Sequence, residues 1–232
     1  MNFSFSPLGD QAIVIEVGQE INEKVQERVR AIALLLEADP PPWMVEIIPA
    51  FTTVTVFYHP LATLYETVQQ ELEERVQHIS EAVAGEFRTV EIPVCYGGDF
   101  GPDLDFVAQH NGLSPEEVIE IHTSGTYTVY MIGFAPGFPF IGGMSEKIAA
   151  PRRDSPRLRI PERTVGIAGM QTGVYPIETP GGWQLIGRTP IRLFRPEQEI
   201  PSLLRAGDKI IFRQISEIEY HSLKEEQHAE DH

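Results

Sequence analysis

Cysteine is almost absent. Cys95 is the only one in 232 residues, which excludes an intrachain disulfide and any site built on several thiolates, and suits a reducing compartment. Long apolar runs are absent as well. No stretch approaches the ~20 residues of a membrane span, and the start of the chain lacks the charged residues and the apolar run of roughly 7–15 residues that a signal peptide needs. The expectation is a cytoplasmic, soluble chain with no membrane contact. Positive charge is scarce, with 18 Lys and Arg against 34 Asp and Glu. The resulting net charge of −16 repels phosphate backbones and speaks against nucleic acid as a partner. Histidine is missing between Thr123 and Tyr220, so this half has no imidazole base of its own and no self-contained Ser-His-Asp triad. The histidines near the end, His221, His228 and His232, make a weak metal site at best, and no metal is expected.

Glycine is plentiful and unevenly placed. Of 19 glycines, fifteen fall from Gly97 to Gly187. Glycine costs the unfolded chain more entropy than any other residue, so this density calls for a backbone reason, such as tight turns or a ligand or partner pressed against main chain. Charge is uneven too. Up to Ile92 there are fifteen acidic and five basic residues, from Pro93 to Ile215 thirteen and twelve, and from Ser216 onward six and one. The shift divides the chain into a small α/β domain over 1–92, a glycine-rich domain over 93–215 and an acidic, disordered tail over 216–232. The nearly neutral second domain is where an anionic ligand can be held.

Ala12 to Val17 is short and β-branched, the mark of a strand. Ile21, Val25, Val29, Ile32 and Leu36 follow at helical spacing, and Pro40-Pro41-Pro42 ends that helix. Trp43 to Ile48 and Thr52 to Tyr58 read as strands, Leu64 to Val83 as a long amphipathic helix, and Phe87 to Tyr96 as a fourth strand. Strand-helix-strand-strand-helix-strand is the ferredoxin-like order. The acidic helix faces read as solvated surface, or as a docking face for a basic partner. A helical insert over 103–122 comes next. Asp103 to His110 forms one helix, halted at Asn111-Gly112, and Ser114-Pro115-Glu116-Glu117 opens another with a Ser cap, Pro first and Glu third. From Tyr127 to Phe212 brief apolar runs alternate with Pro and Gly, the pattern of a closed or nearly closed β-barrel. The fold class is α+β.

Three stretches carry candidate chemistry. Gly133 to Phe140 sets Phe134 and Phe138 among Pro136 and Gly137. The run is either a loop tucking aromatics into the core or an apolar wall for a ligand or a second protein chain. Gly181-Gly182-Trp183 leads to Arg188, but the Gly-Lys-Ser/Thr of a phosphate loop is missing. A guanidinium grips a carboxylate or phosphate with two parallel hydrogen bonds, which makes Arg188 the candidate anion ligand. Arg152, Arg153, Arg157 and Arg159 cluster around Pro156, either as ordinary surface charge or as a binding patch. Gln171, Thr172 and Tyr175, after Gly169, add neutral hydrogen-bonding groups or serve as turn residues. Cys95 with His122 is a conceivable nucleophile pair, although a cysteine in an apolar strand is usually inert core. No catalytic residue is assigned.

Together, Pro93-Val94-Cys95-Tyr96-Gly97-Gly98, Gly101-Pro102-Asp103-Leu104, Gly133 to Phe140, Val165-Gly166-Ile167-Ala168-Gly169, Gln171 to Pro176 and Pro180 to Thr189 resemble the family of 5-oxoprolinase B subunits, also called allophanate hydrolase subunit 1. In sporulating Bacillus relatives the same family includes KipI, the inhibitor of sporulation kinase A. The resemblance implies a small α/β domain followed by a cyclophilin-like barrel. It implies ATP-dependent opening of 5-oxoproline to L-glutamate, with ATP and Mg2+ used by the complex, in company with an A subunit (LamB/YcsF-like) and a C subunit (KipA-like). In the inhibitory role it implies binding to the dimerisation domain of a sensor histidine kinase, antagonised by the C subunit. One departure is plain: the family has a small Ala-Gly-Ser where this chain has Glu162-Arg163-Thr164.

Overall fold

The computed structural model describes residues 3–77, 79 and 88–230. Residues 1–87 and 88–232 form two separate units.

In the first unit, β1 (Ser4–Leu8), β2 (Ala12–Glu16), β3 (Met44–Pro49) and β4 (Thr53–Tyr58) make an antiparallel sheet in the order β1-β2-β4-β3. Alternation sends Val54, Val56 and Tyr58 to one face. There they join Ile13 and Ile15, the apolar stripe of α1 (Glu23–Ala38) and that of α2 (Tyr65–Gln77). The Asn22 side chain accepts from the Val25 N–H at 3.0 Å and caps α1. β4 lies between β2 and β3, as a split βαβ arrangement requires.

The expected fourth strand corrects the ferredoxin-like reading. It is β5 (Thr89–Tyr96), which pairs in the second unit, so the boundary falls before it rather than at 92. β1 takes the sheet edge instead, in register from Ser4↔Glu16 to Leu8↔Ala12. The short loop at Gly9, where φ is 66°, closes this hairpin at little entropic cost. Ile92 and Val94 of β5 are buried in the other core. Val83 and Phe87, expected in the second helix and this strand, lie outside the described residues.

The second unit contains, after β5, α3 (Leu104–Asn111), α4 (Pro115–Ser124), β6 (Thr126–Ile132), β7 (Pro139–Gly142), β8 (Arg157–Ile160), β9 (Thr164–Ala168), β10 (Gln171–Val174), β11 (Thr179–Gly181), β12 (Gln184–Arg188), β13 (Lys209–Gln214) and α5 (Glu217–Glu230). Seven strands close a barrel in the order β10-β7-β6-β13-β5-β12-β9, while β8 and β11 pair as a separate ribbon. Ile92, Val129, Ile141, Val165, Ile167, Ile186, Ile210 and Phe212 fill the core, with Val107 and Val118 packing on it from α3 and α4. The Ser114 hydroxyl accepts from Glu117 N–H, and the Glu117 carboxylate accepts from Ser114 N–H at 2.7 Å, so the capping box forms as the sequence predicts.

The disordered tail is also corrected, because residues 217–230 are helical. Tyr220 is 2% exposed and, with Leu223 one turn on, packs against Cys95, Ile215 and Phe100. Ser216 accepts from Glu219 N–H at the helix start, and the Gln227 side chain accepts from Arg192 N–H at 3.0 Å. Among the described residues no helix is long and apolar enough to cross a membrane.

Candidate functional site

The loop between β6 and β7 is built from two turns. Phe138 N–H donates to Ala135 O at 3.0 Å over Pro136-Gly137, with Gly137 at φ 75°. Proline presets the first corner of such a turn and glycine alone takes the second without strain. Just before it, Ala135 N–H donates to Gly133 O at 2.8 Å, closing a three-residue turn on Phe134 at φ 70°. A bulky residue in the left-handed region is an outlier that costs on the order of 1–3 kcal/mol and persists where its surroundings enforce it. Phe134 is nonetheless 67% exposed.

Beneath it sits an aromatic cluster. Phe138 meets Phe134, Phe140, Tyr175 and Trp183 edge to face, with ring centroids 5.1–5.7 Å apart. Gly173 makes room: a Cβ there would lie 2.9 Å from the Trp183 ring. The structure thus brings Phe134, Phe138, Tyr175, Gly181 and Trp183 together, and divides them. Phe138, Tyr175 and Trp183 are core residues at 5% exposure or less, and Phe134 is the ring a partner can touch. The Tyr175 phenol is pushed up to about 12 by burial, opposed by the charge of Arg152, a hydrogen bond with the Trp183 backbone and the charge of Arg157.

The arginine cluster is fastened by a residue the sequence showed only as a helix start. The buried carboxylate of Asp103 accepts from Arg157 Nη2 at 2.8 Å, Arg153 Nη1 at 3.2 Å and the Leu185 N–H at 2.7 Å. Arg153 N–H donates to Gly182 O, and Gln184 Nε2 donates to Pro151 O. Arg159 is exposed, 3.7 Å from Glu178. Arg152 is exposed beside Tyr175, without a hydrogen bond among the described residues.

Three candidates lie apart from the aromatic cluster. Gly169 turns between β9 and β10 at φ 57°, and Gln171 pairs with Ala168 beyond it. Thr172 is fully buried, where its hydroxyl donates to Gly166 O at 3.1 Å and meets His122 Nε2 at 3.0 Å. The other imidazole nitrogen faces the Tyr96 hydroxyl at 2.7 Å. No histidine lies between Thr123 and Tyr220, yet α4, just before that stretch, delivers His122 into the barrel. Burial lowers its pKa to about 3, so it is neutral, and Tyr96, held protonated by burial, donates to Nδ1. Cys95, its neighbour in β5, packs instead with Ile215 and Tyr220, and burial raises its thiol.

Arg188 is half-buried at the end of β12, opposite Cys95 and Thr164 in register. Its Nε donates to Glu162 O at 3.1 Å. Its charge acts on Tyr220 of α5, whereas Arg152 and Arg157 are the cations acting on Tyr175. Among the described residues no group of three or more His, Cys, Asp and Glu gathers to hold a metal ion.

Residues 3–204 match the model of the family described as carboxyltransferase domain, subdomain C and D. The chain belongs to this family, within the group of 5-oxoprolinase B subunits. It is 56% identical to the 5-oxoprolinase B subunit of Bacillus subtilis (strain 168), over 97% of this chain and 98% of that one. With the 5-oxoprolinase B subunit of Escherichia coli O157:H7 the identity is 45%, over 88% and 93%. Among solved structures TTHA0988 matches with a TM-score of 0.81 and 35% identity over 89% of this chain, which spans 40% of that longer one. The K. lactis urea amidolyase shares the fold, with a TM-score of 0.76 at 19% identity over 97% of this chain and 15% of its own length.

Proposed function

We propose that the chain is the B subunit of an ATP-dependent 5-oxoprolinase that opens 5-oxoproline to L-glutamate together with the A and C subunits. The observation that carries this is the 56% identity to a 5-oxoprolinase B subunit over nearly the full length of both chains. The site geometry fits one part of a complex rather than a complete catalyst. His122, the imidazole that α4 buries in the barrel domain, is neutral and committed to Tyr96 and Thr172. The exposed Phe134 and Arg152 offer one apolar and one cationic contact beside the aromatic cluster. Another subunit supplies the catalytic groups, and ATP with its Mg2+ is bound by the assembled complex.

The test is 5-oxoproline-dependent ATP hydrolysis and glutamate release, measured on this chain alone, on the A and C subunits, and on the mixture. Turnover only in the mixture is the expected result. Robust turnover by the single chain, or by the other two without it, overturns the assignment.

One observation favours a second role in the same protein. A large aromatic held exposed in a strained turn suits protein recognition, and a kinase dimerisation helix is a fitting occupant for such an anchor. Competition of that helix with the C subunit for the Phe134 face is the expected signature, and simultaneous binding of both rules it out.

A further inference from the structure

Three side chains, each with a donor left unbonded among the described residues, lie near one another at the opposite end of β12 from the aromatic cluster, where the charges of Arg188 and Arg163 both act on Tyr220. Arg163 stands at φ 67°, the second non-glycine residue with positive φ among those described. Its side chain is 6% exposed. Nη1 donates to Pro190 O at 2.9 Å and Nη2 pairs with Glu162 at 3.0 Å, while the buried Nε has no partner among the described residues. Arg188 reaches the same place, because its strand neighbour is Thr164 and its Nε bonds the Glu162 carbonyl. Its terminal nitrogens make no hydrogen bond among the described residues, leaving the fork free. Tyr220 of α5 completes the group. It packs on Cys95, which is the register partner of Arg188, and it is 2% exposed. Its ring is held by Phe100 and His221, but its hydroxyl has no hydrogen-bond partner among the described residues.

A buried donor left unmade costs about 1–3 kcal/mol, and native structures keep such groups where something else satisfies them. Here the Arg163 guanidinium pairs with the Glu162 carboxylate, while Arg188 bonds only the Glu162 backbone carbonyl, so the Arg188 charge has no carboxylate partner among the described residues. The donors present, a free guanidinium fork, an N–H and a phenol O–H, match the acceptors of a planar or tetrahedral oxyanion. Nothing apolar or cationic fits that set.

We propose that Arg163, Arg188 and Tyr220 form a binding site for a small oxyanion, a carboxylate or a phosphoryl group, with α5 as its cover. Arg188 supplies the two-pronged grip, Arg163 the buried field, and Tyr220 a hydrogen bond that depends on α5 being docked. Binding here is separate from turnover in the assembled complex, so either can fail without the other.

The experiment is calorimetric titration of the full chain with inorganic phosphate and, separately, with 5-oxoproline as the carboxylate probe. One of the two binds at a single site, and the stronger identifies the oxyanion. Arg188→Ala weakens it at least about tenfold, since charge-assisted hydrogen bonds are lost, and Arg188→Lys recovers part. Tyr220→Phe, which removes one oxygen and keeps the packing, weakens it about threefold or more. Lys147→Ala removes an exposed cation elsewhere and leaves affinity unchanged. The proposal falls if neither anion binds, or if Arg188→Ala and Tyr220→Phe both bind as the wild type does. Should Arg188→Ala fail to fold, Tyr220→Phe decides alone.

Discussion

Thr172 Oγ1 lies 3.0 Å from His122 Nε2, although the two residues are 50 positions apart. Tyr96 O–H donates to Nδ1, Nε2–H donates to Thr172, and Thr172 O–H donates to Gly166 O, so one tautomer satisfies every member of the chain. Such fully paired networks fix a unique core, and they are costly to interrupt.

Acid should therefore destabilise the second unit through His122. Its folded pKa of about 3 lies below the ordinary 6.5, so in that window the unfolded chain binds a proton that the native state refuses. Above pH 6.5 the full contribution is present. Below it, stability falls by about 1.4 kcal/mol per pH unit. Denaturant melts from about pH 4 to 7 should show His122→Gln losing about one proton of that dependence. Thr172→Val should cost about 1–3 kcal/mol at neutral pH by stranding the imidazole N–H.

Phe134 and Phe138 should respond oppositely. Phe134→Gly relieves a left-handed residue and should raise stability by on the order of 1 kcal/mol, while Phe134→Ala keeps the strain and gains nothing. Both should weaken association with a protein partner about tenfold or more if the ring is an anchor. Phe138→Ala opens a cavity among Tyr175, Trp183 and Phe140 and should cost about 3–5 kcal/mol. Urea melts paired with pull-downs of the C subunit separate the two effects. An unstable Phe134→Gly variant refutes the strain argument.

Asp103→Ala should be among the most damaging single changes outside the apolar core. It removes the shared acceptor of Arg153, Arg157 and the Leu185 N–H, and breaking a buried ion pair on one side costs about 3–5 kcal/mol. Proteolysis within residues 151–160 should accelerate in the variant, since this loop then loses its anchor. Unchanged cleavage and an unchanged melt would falsify the anchoring role.

What could be read in advance was local. The capping box at Ser114 and the stop at Gly112 involve residues within one or two turns of each other, and both formed as the sequence predicted. The alternation in Thr53–Tyr58 showed a strand with one buried face. It could not show which sheet Thr89–Tyr96 would join, because Ile92 and Val94 suit either core and the hairpin at Gly9 settled the matter. In α5, Tyr220 and Leu223 stand among charged residues, and their burial depends on Cys95 and Phe100 far upstream. The aromatic cluster was legible as residue types, and Phe138, Tyr175 and Trp183 do meet. Arg188 and Thr172 were grouped with them because they are near in sequence. Strand ends and strand faces send them elsewhere, and the same geometry supplies His122 from α4, before the histidine-free stretch begins.

The stave between β5 and β6 is β13, and it is the last strand of the barrel to be made. It runs parallel to β5, with Lys209 opposite Thr89 and Gln214 opposite Val94. No hairpin can bring such a pair together. The growing chain must carry the unpaired edge of β5 through more than a hundred residues of synthesis, and that of β6 through more than seventy, a long-range closure of the kind that folds slowly and invites edge-to-edge association. The first unit has no such dependence, since all four of its strands are complete by Tyr58. On the ribosome, then, the acidic unit can stand finished while the barrel waits for residues 209–214, and the solubility of the nascent protein in that interval rests on the part of the chain that carries most of its net negative charge.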